Sequence, residues 1–148
     1  GGSSRQESVS LGLNALSSKV KLAAIHDGAR PLVSWQVIDR AIRAANTYGA
    51  AAPAIPVKDT IKVVEGRVVK HTPDRATLFA VQTPQVFDST ILKDCYKKPY
   101  SPTFTDDASV VESNGYKVAT SPGSRFNIKL TTPEDLVMAR IFLSLMEE

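Results

Sequence analysis

The sequence predicts an α/β fold, in which strands of one sheet are joined through helices by right-handed crossovers. Two observations carry that expectation. Short apolar runs alternate with capped helical stretches along the chain, and a polar or charged group follows nearly every run: Asp27, Arg30, Asp59, Thr60, Thr83 and Lys129. Open α/β sheets bind ligands outside the carboxyl ends of their strands, so the second pattern is what a crevice on one rim would produce. A length of 148 residues fits one domain with its own core. A hydrophobic content of 43% and a charged content of 22% are ordinary for a globular protein. The net charge of +3 is small and no Lys/Arg block forms a nucleic-acid arm. The single cysteine, Cys95, excludes an intramolecular disulfide and fits a reducing compartment. His26 and His71 lack partners at zinc spacing. No run approaches the roughly 18 apolar residues of a membrane span, and no secretory leader is read. These features set the expectation of a cytoplasmic protein that engages neither nucleic acid nor membrane.

Each element has a local cause. Ser4 and Glu7 have capping-box spacing, and Val9, Leu13, Leu16 and Val20 then recur at helical intervals. Val20 to Ile25 reads as a buried strand. Ser34 caps a second helix with Val37, Ala41, Ala45 and Tyr48 on one face, ended by Gly49. Ala50 to Val57, broken by Pro53 and Pro56, reads as an irregular strand. Ile61–Val64 and Arg67–Lys70 flank Glu65-Gly66, a hairpin pattern. A two-stranded ribbon is marginal alone, so a partner subunit is expected to cover it. Ala76 to Val81 reads as a strand. Asp88 caps a helix carrying Ile91, Leu92, Cys95 and Tyr96, and Lys97 to Phe104 reads as loop. Thr105-Asp106-Asp107 opens the next helix, its acids suiting the positive end of the dipole, and Gly115 closes it. Tyr116 to Ser121 is the last strand. Thr132 and Pro133 start a final helix, apolar on so much of its circumference that it is expected to be largely buried.

The chain is organised around His26-Asp27-Gly28-Ala29-Arg30-Pro31, at the end of the first strand. Asp27 offers a carboxylate at a strand's end, Gly28 a bare backbone, and Arg30 a planar cationic fork suited to phosphate. Alone, Asp-Gly is also an ordinary turn and Arg30 a surface residue. Lys129 reads equally as a surface lysine, and Asp106-Asp107 as dipole-complementing residues rather than ligands. His26 is expected to pack or hydrogen-bond at the strand end, His71 to face solvent, and Cys95 to lie in the core.

Six phrases in order resemble the 2-C-methyl-D-erythritol 4-phosphate cytidylyltransferase family, the nucleotidyl-transfer enzymes of the non-mevalonate isoprenoid route. They are Gly1-Gly2-Ser3-Ser4-Arg5-Gln6-Glu7-Ser8-Val9, His26-Asp27-Gly28-Ala29-Arg30-Pro31, Pro56-Val57-Lys58-Asp59-Thr60, Gln82-Thr83-Pro84-Gln85-Val86-Phe87, Thr105-Asp106-Asp107-Ala108 and Asn127-Ile128-Lys129-Leu130-Thr131. The resemblance implies one domain over 1–148 with a Rossmann-like, mixed and mostly parallel sheet of nucleotidyltransferase type. It also implies a projecting β-arm over 58–75 that makes a homodimer. CTP and a sugar or polyol phosphate would be the ligands, and Mg²⁺ the cofactor. The carboxylate matching Asp27 would hold the metal, and the backbone at Gly28 would meet the nucleotide. Gly1, Gly2, Ser3 and Ser8 would read cytosine and ribose. Arg30, Thr60, Arg75, Thr83, Thr105 and Lys129 would bind the sugar phosphate or neutralise charge. Thr60, Arg75 and Thr83 would lie near the arm and serve the neighbouring subunit.

Family members carry a strand and a glycine-rich loop of the kind Ala-Ala-Gly-x-Gly-x-Arg-Met before the first matching phrase, and then a Pro-Lys pair. These cradle the triphosphate, and this sequence has no equivalent. The expectation is therefore a domain truncated at the N-terminus, inactive alone, with one edge of the Asp27 strand uncovered. A sugar phosphate is largely dianionic at neutral pH, its second pKa being about 6, so its attack needs no general base. Asp27 and Lys129 are the catalytic candidates: the first for the metal, the second for charge on the α-phosphate. A cytidylyltransferase for ribitol 5-phosphate or another polyol phosphate, and a non-catalytic dimerising fragment, are the alternatives. The compartment would be the cytoplasm, or the plastid stroma in a plant-type organism.

Overall fold

The computed structural model describes residues 1–99 and 101–146. Tyr100, within the expected loop, and Glu147 and Glu148, within the expected domain, lie outside the described residues. The elements in order are α1 (Arg5–Ala15), β1 (Leu22–Ile25), α2 (Trp35–Tyr48), β2 (Ala50–Pro56), β3 (Val63–Glu65), β4 (Val68–His71), β5 (Phe79–Val81), β6 (Gln85–Asp88), α3 (Ser89–Cys95), α4 (Asp107–Ser113), β7 (Ala119–Pro122) and α5 (Pro133–Met146).

Capping residues bound most helices as the sequence indicates, although Ser34, before α2, makes no side-chain cap hydrogen bond. Ser4 accepts from the Glu7 amide, and the Glu7 carboxylate reaches back to the Ser3 amide at 2.5 Å, one residue further out than a standard capping box. Gly49, at φ 83°, closes α2 in the left-handed conformation that favours glycine. Asp88 accepts from the Thr90 and Ile91 amides, and Asp106 forms a reciprocal capping box with Ser109. α5 begins at Pro133 with Thr132 before it, as expected, and the Asp135 carboxylate bends back to accept from the Thr131 and Thr132 amides, both at 2.8 Å.

The sheet has five strands, β1, β6, β2 and β5 in order with β7 on β2. It is mixed. β1, β2 and β7 run one way, while β6 and β5 run the other, so β2–β7 is the parallel ladder and β1–β6, β2–β6 and β2–β5 are antiparallel. β5 and β6 form one bent path along β2, with the register slipping between Ala54↔Val81 and Ala51↔Val86. Gln82-Thr83-Pro84 makes the corner, where the Thr83–Pro84 bond is cis. Alternation along β6 sends Val86 to one face with Ala41, Ala45 and Ala51, and Phe87 to the other with Leu13, Leu92, Cys95 and Val111. The sheet is thus sandwiched between α2 on one side and α1, α3 and α4 on the other.

Several expectations are corrected. β6 is not among the expected strands: Gln85 to Asp88, where only the Asp88 cap is expected, forms the buried strand between β1 and β2. The strand expected from Ala76 begins at Phe79, because Asp74 caps a short 3₁₀ turn over Arg75–Thr77. The first helix stops at Leu16, leaving Val20 outside it. The hairpin turn is Gly66-Arg67, one residue later than expected. Tyr48, placed on the inner face of α2, is exposed. Above all, α5 is not buried: Leu136, Val137, Ile141 and Leu143 are all exposed, while Phe142 packs edge-on to Phe126 with ring centroids 5.0 Å apart. The arm strands are exposed throughout. Among the described residues no helix is long and apolar enough to cross a membrane.

Candidate active site

β1 ends at Ile25, and the chain turns at once: the Arg30 amide donates to the Asp27 carbonyl at 2.9 Å. That turn is fastened from two sides. Thr83 Oγ1 accepts from the Asp27 amide at 3.0 Å and lies 3.0 Å from His26 Nδ1, while His26 Nε2 lies 3.1 Å from the Arg30 carbonyl oxygen. His26 is therefore engaged at both ring nitrogens, as a brace of the strand end. On the other side, the Leu130 amide donates to the Ala29 carbonyl at 2.7 Å. Buried Asn127 donates to the Thr83 carbonyl at 2.8 Å, and Gln82 donates to the Ser124 carbonyl at 2.7 Å. These bonds seat the segment carrying Lys129 against the corner between β5 and β6.

The result is a convergence of charge. Lys129 Nζ lies 3.2 Å and Arg30 Nε 3.4 Å from Asp27 Oδ2, and Arg5 Nε lies 3.9 Å from Asp27 Oδ1. Arg30 also donates from Nη1 to the Asn127 carbonyl at 2.8 Å. Burial would lift the Asp27 carboxyl, but the hydrogen bond and charge of Lys129, then the charges of Arg5 and Arg30, outweigh it and hold it below its ordinary value of 3.8. The Asp27 side chain is 16% exposed and Arg30 13%, whereas Lys129, at 47%, keeps access to solvent. Together with Thr83, Thr105 and Asp106 these groups line a cleft of about 290 Å³.

The expected site residues divide into two groups. Asp27, Arg30, Thr83, Thr105 and Lys129 share this cleft. Thr83 thus belongs to the cleft and not to the vicinity of the arm, because the β5–β6 corner carries it to the end of β1. Asp59, Thr60 and Arg75 do not line it: the chain after β2 runs outward into the hairpin, and Arg75 donates from Nη1 to the Lys58 carbonyl at the arm's base, at 2.9 Å. Gly2 donates to Ser8 Oγ at 2.8 Å, and a Cβ there would come within 2.5 Å of the Glu7 side chain, so the loop before α1 requires a glycine. At Gly28 a Cβ would meet no atom within 4 Å, so the protein's own packing does not demand glycine there. The reading of the sequence gave no role to Arg5 or Gln85, both of which line the cleft. Arg5 stood within a matching phrase, but its partner Asp107 is 102 residues away and nothing local announces the pair.

For a metal the donor set is sparse. Among the described residues no group of three His, Cys, Asp or Glu side chains could hold an ion. Asp106 spends its oxygens on the Ser109 amide and on Gln85 Nε2. Asp27 is a hard, ionised donor facing the cleft. It fits Mg²⁺ as a single protein ligand of the kind used when phosphate oxygens and water complete the shell, and not as part of an all-protein cage.

A carboxylate ringed by cations, in a cleft at the strand ends of a mixed α/β sheet, is an arrangement suited to binding phosphate groups. The comparisons make this specific. The model of the IspD family, 2-C-methyl-D-erythritol 4-phosphate cytidylyltransferase, matches residues 1–145, and the chain belongs to that family. It is 49% identical over 146 residues to the protein of that name from Caldanaerobacter subterraneus subsp. tengcongensis and 51% identical over 146 residues to that from Halalkalibacterium halodurans, in each case with 97% of this chain aligned. The chain spans 64% of the length of these curated relatives. Among solved structures, the Thermus thermophilus 2-C-methyl-D-erythritol 4-phosphate cytidylyltransferase superposes with a TM-score of 0.84 at 37% identity, covering 97% of this chain and 71% of the other. The 4-diphosphocytidyl-2C-methyl-D-erythritol synthase of Anaerococcus prevotii superposes with a TM-score of 0.89 at 32% identity, covering 97% and 68%.

Proposed function

We propose that the protein carrying this chain transfers CMP from CTP to 2-C-methyl-D-erythritol 4-phosphate and releases pyrophosphate. The observation that supports it most is the convergence of Lys129, Arg30 and Arg5 on Asp27 in one cleft. A phosphate oxygen of the sugar phosphate attacks the α-phosphorus of CTP, and the bond to the β-phosphate oxygen breaks. The nucleophile is already an anion, so the step needs positioning and charge screening rather than a base. This agrees with His26 being occupied at both nitrogens. Lys129 is the catalytic cation, its solvent access letting it leave Asp27 for the α-phosphate. Arg30 holds phosphate, and its buried Nε has no aligned hydrogen-bond partner among the described residues. Asp27 would hold Mg²⁺, which when bound supplies further screening of the triphosphate.

Gly1, Gly2, Ser3, Ser8 and Gly28 form the nucleotide side of the site in this reading, and Thr83 and Thr105 the sugar-phosphate side. Thr60 and Arg75, outside the cleft of their own chain, serve the site of a second subunit through a homodimer made by the arm. The relatives' names favour the methylerythritol substrate over ribitol 5-phosphate, and their bacterial sources favour a cytoplasmic setting over a plastid one. The test is pyrophosphate release with magnesium and CTP, using the polypeptide as its gene encodes it. Release with 2-C-methyl-D-erythritol 4-phosphate and not with ribitol 5-phosphate is expected. Release with ribitol 5-phosphate alone would move the protein to the other substrate. CTP binding without release would leave a non-catalytic nucleotide binder.

A further inference from the structure

Asp107 is the most completely enclosed charged residue near the cleft, with a side-chain exposure of 0%. Its carboxylate grips Arg5 with both oxygens, Nη1 to Oδ1 at 3.1 Å and Nη2 to Oδ2 at 2.6 Å, and Oδ1 also accepts from the Tyr96 hydroxyl. Asp107 opens α4 and Arg5 opens α1, so the grip joins the first turns of two helices distant in sequence. On the other side of the sheet corner, Gln85 of β6 donates to Asp106 Oδ2 at 2.8 Å and accepts from the Ala108 amide at 2.9 Å, fixing the start of α4 to the cleft wall. The hydrogen bond that Arg5 donates to Asp107 raises the Arg5 pKa, and burial followed by the Asp107 charge raises that of Tyr96, so the guanidinium stays charged and the phenol neutral.

Stability alone does not explain this arrangement. A buried ion pair is commonly no better for stability than well-packed apolar residues of the same volume. What an apolar pair cannot do is orient a cation. Arg5 remains 41% exposed, and its Nε edge turns to the cleft, 3.9 Å from Asp27 Oδ1. The loop Gly1–Ser3 immediately precedes the gripped turn, itself tied to it through Gly2 to Ser8 and Ser3 to Glu7.

We propose that Asp107 and Tyr96 are positioning residues for the nucleotide: they hold Arg5, and through it the Gly1–Ser3 loop, at the rim of the Asp27 cleft. This deepens the cytidylyl-transfer reading and rests on it. CTP is the ligand whose binding the network governs, and the sugar phosphate is not.

The test measures steady-state kinetics and melting temperature in the polypeptide as its gene encodes it, for Arg5→Lys, Asp107→Asn, Tyr96→Phe and Arg5→Lys/Asp107→Asn. Arg5→Lys keeps the charge and loses the fork, so KM for CTP is expected to rise about tenfold, with kcat and the sugar-phosphate KM moving less than about twofold. Asp107→Asn does the same, and Tyr96→Phe gives about a threefold rise. The double variant is no worse than the worse single, because both break one contact. A fall in melting temperature with KM for CTP unchanged makes the network a structural fastening and overturns the proposal, and so does an equal rise in both KM values. Arg5→Lys, on a part-exposed side chain, keeps the test decisive if Asp107→Asn does not fold. The wild type judges the functional reading separately, since absence of pyrophosphate release sinks that reading alone. In that case the affinity for magnesium-CTP by calorimetry decides the grip: weaker binding by Arg5→Lys supports it, and equal binding, or no binding by the wild type, overturns it.

Discussion

The cleft and the final helix treat their side chains in opposite ways. Around Asp27 charged groups are matched within the chain: Asp27 to Lys129, Arg30 and Arg5, and Asp107 to Arg5 and Tyr96. Along α5 and the β3–β4 arm, apolar groups are left to solvent, Val137 at 61% and Val68 at 73% exposure. Charge finds its partner over a hundred residues of chain, while a stretch of apolar surface waits for cover. The difference teaches that the charged groups at Asp27 find their partners within this chain, whereas the apolar groups of α5 and the arm do not find cover among the described residues.

The largest effect that could break this contrast is catalytic. Lys129→Ala should lower turnover by a factor on the order of 10²–10³, the usual consequence of removing one preorganised charge from a transition state. Pyrophosphate release measures it, and an unchanged rate would leave Lys129 an ordinary surface lysine. Next comes Gly2→Ala. Its Cβ would press on the Glu7 side chain at 2.5–2.7 Å, and overpacking of that kind costs about 1–3 kcal/mol. Thermal unfolding reads the loss, and a melting temperature equal to the wild type would show that the loop simply shifts.

A smaller effect concerns acid. Asp27 titrates lower in the folded protein than in the unfolded chain, so the unfolded chain binds more protons between the two values. Its contribution to stability is complete above its ordinary value of 3.8 and is lost as pH falls through the lower, folded value. Urea melts from neutral pH into acid should show this loss in the wild type, and Asp27→Asn should remove it. The smallest effect is on the apolar surfaces. Val68→Lys in the arm and Val137→Ser in α5 should change the stability of the isolated 148-residue chain by no more than about 0.5 kcal/mol, as exposed substitutions do. Under the proposed arm-mediated homodimer, Val68→Lys should weaken self-association measured by sedimentation. A large loss in the isolated chain would mean these faces are already covered there, and the contrast would fall.

What the sequence disclosed follows the same division. Local chemistry was legible: Ser4, Asp88, Asp106 and Gly49 announce helix ends because capping acts within a few residues. The rim at Asp27, Arg30 and Lys129 was legible because each lies within a family phrase, Asp27 and Arg30 just after a strand. β6 was hidden, since four residues after a proline carry little periodicity and its pairing with β1 and β2 is long-range. The burial of α5 was misjudged because apolarity says that a helix seeks cover, not that its own chain supplies it. Arg5 went unassigned for want of any local sign of Asp107, and the resemblance set Thr83 near the arm, whereas the β5–β6 corner carries it to Asp27.

The most direct trial of the rim is a double-mutant cycle between Asp27→Asn and Lys129→Ala, read as kcat/KM for pyrophosphate release. Groups that act as one unit lose function together. With Lys129 Nζ 3.2 Å from Asp27, the double variant should be little worse than the poorer single variant. Losses that multiply, as for two independent sites, would contradict the account.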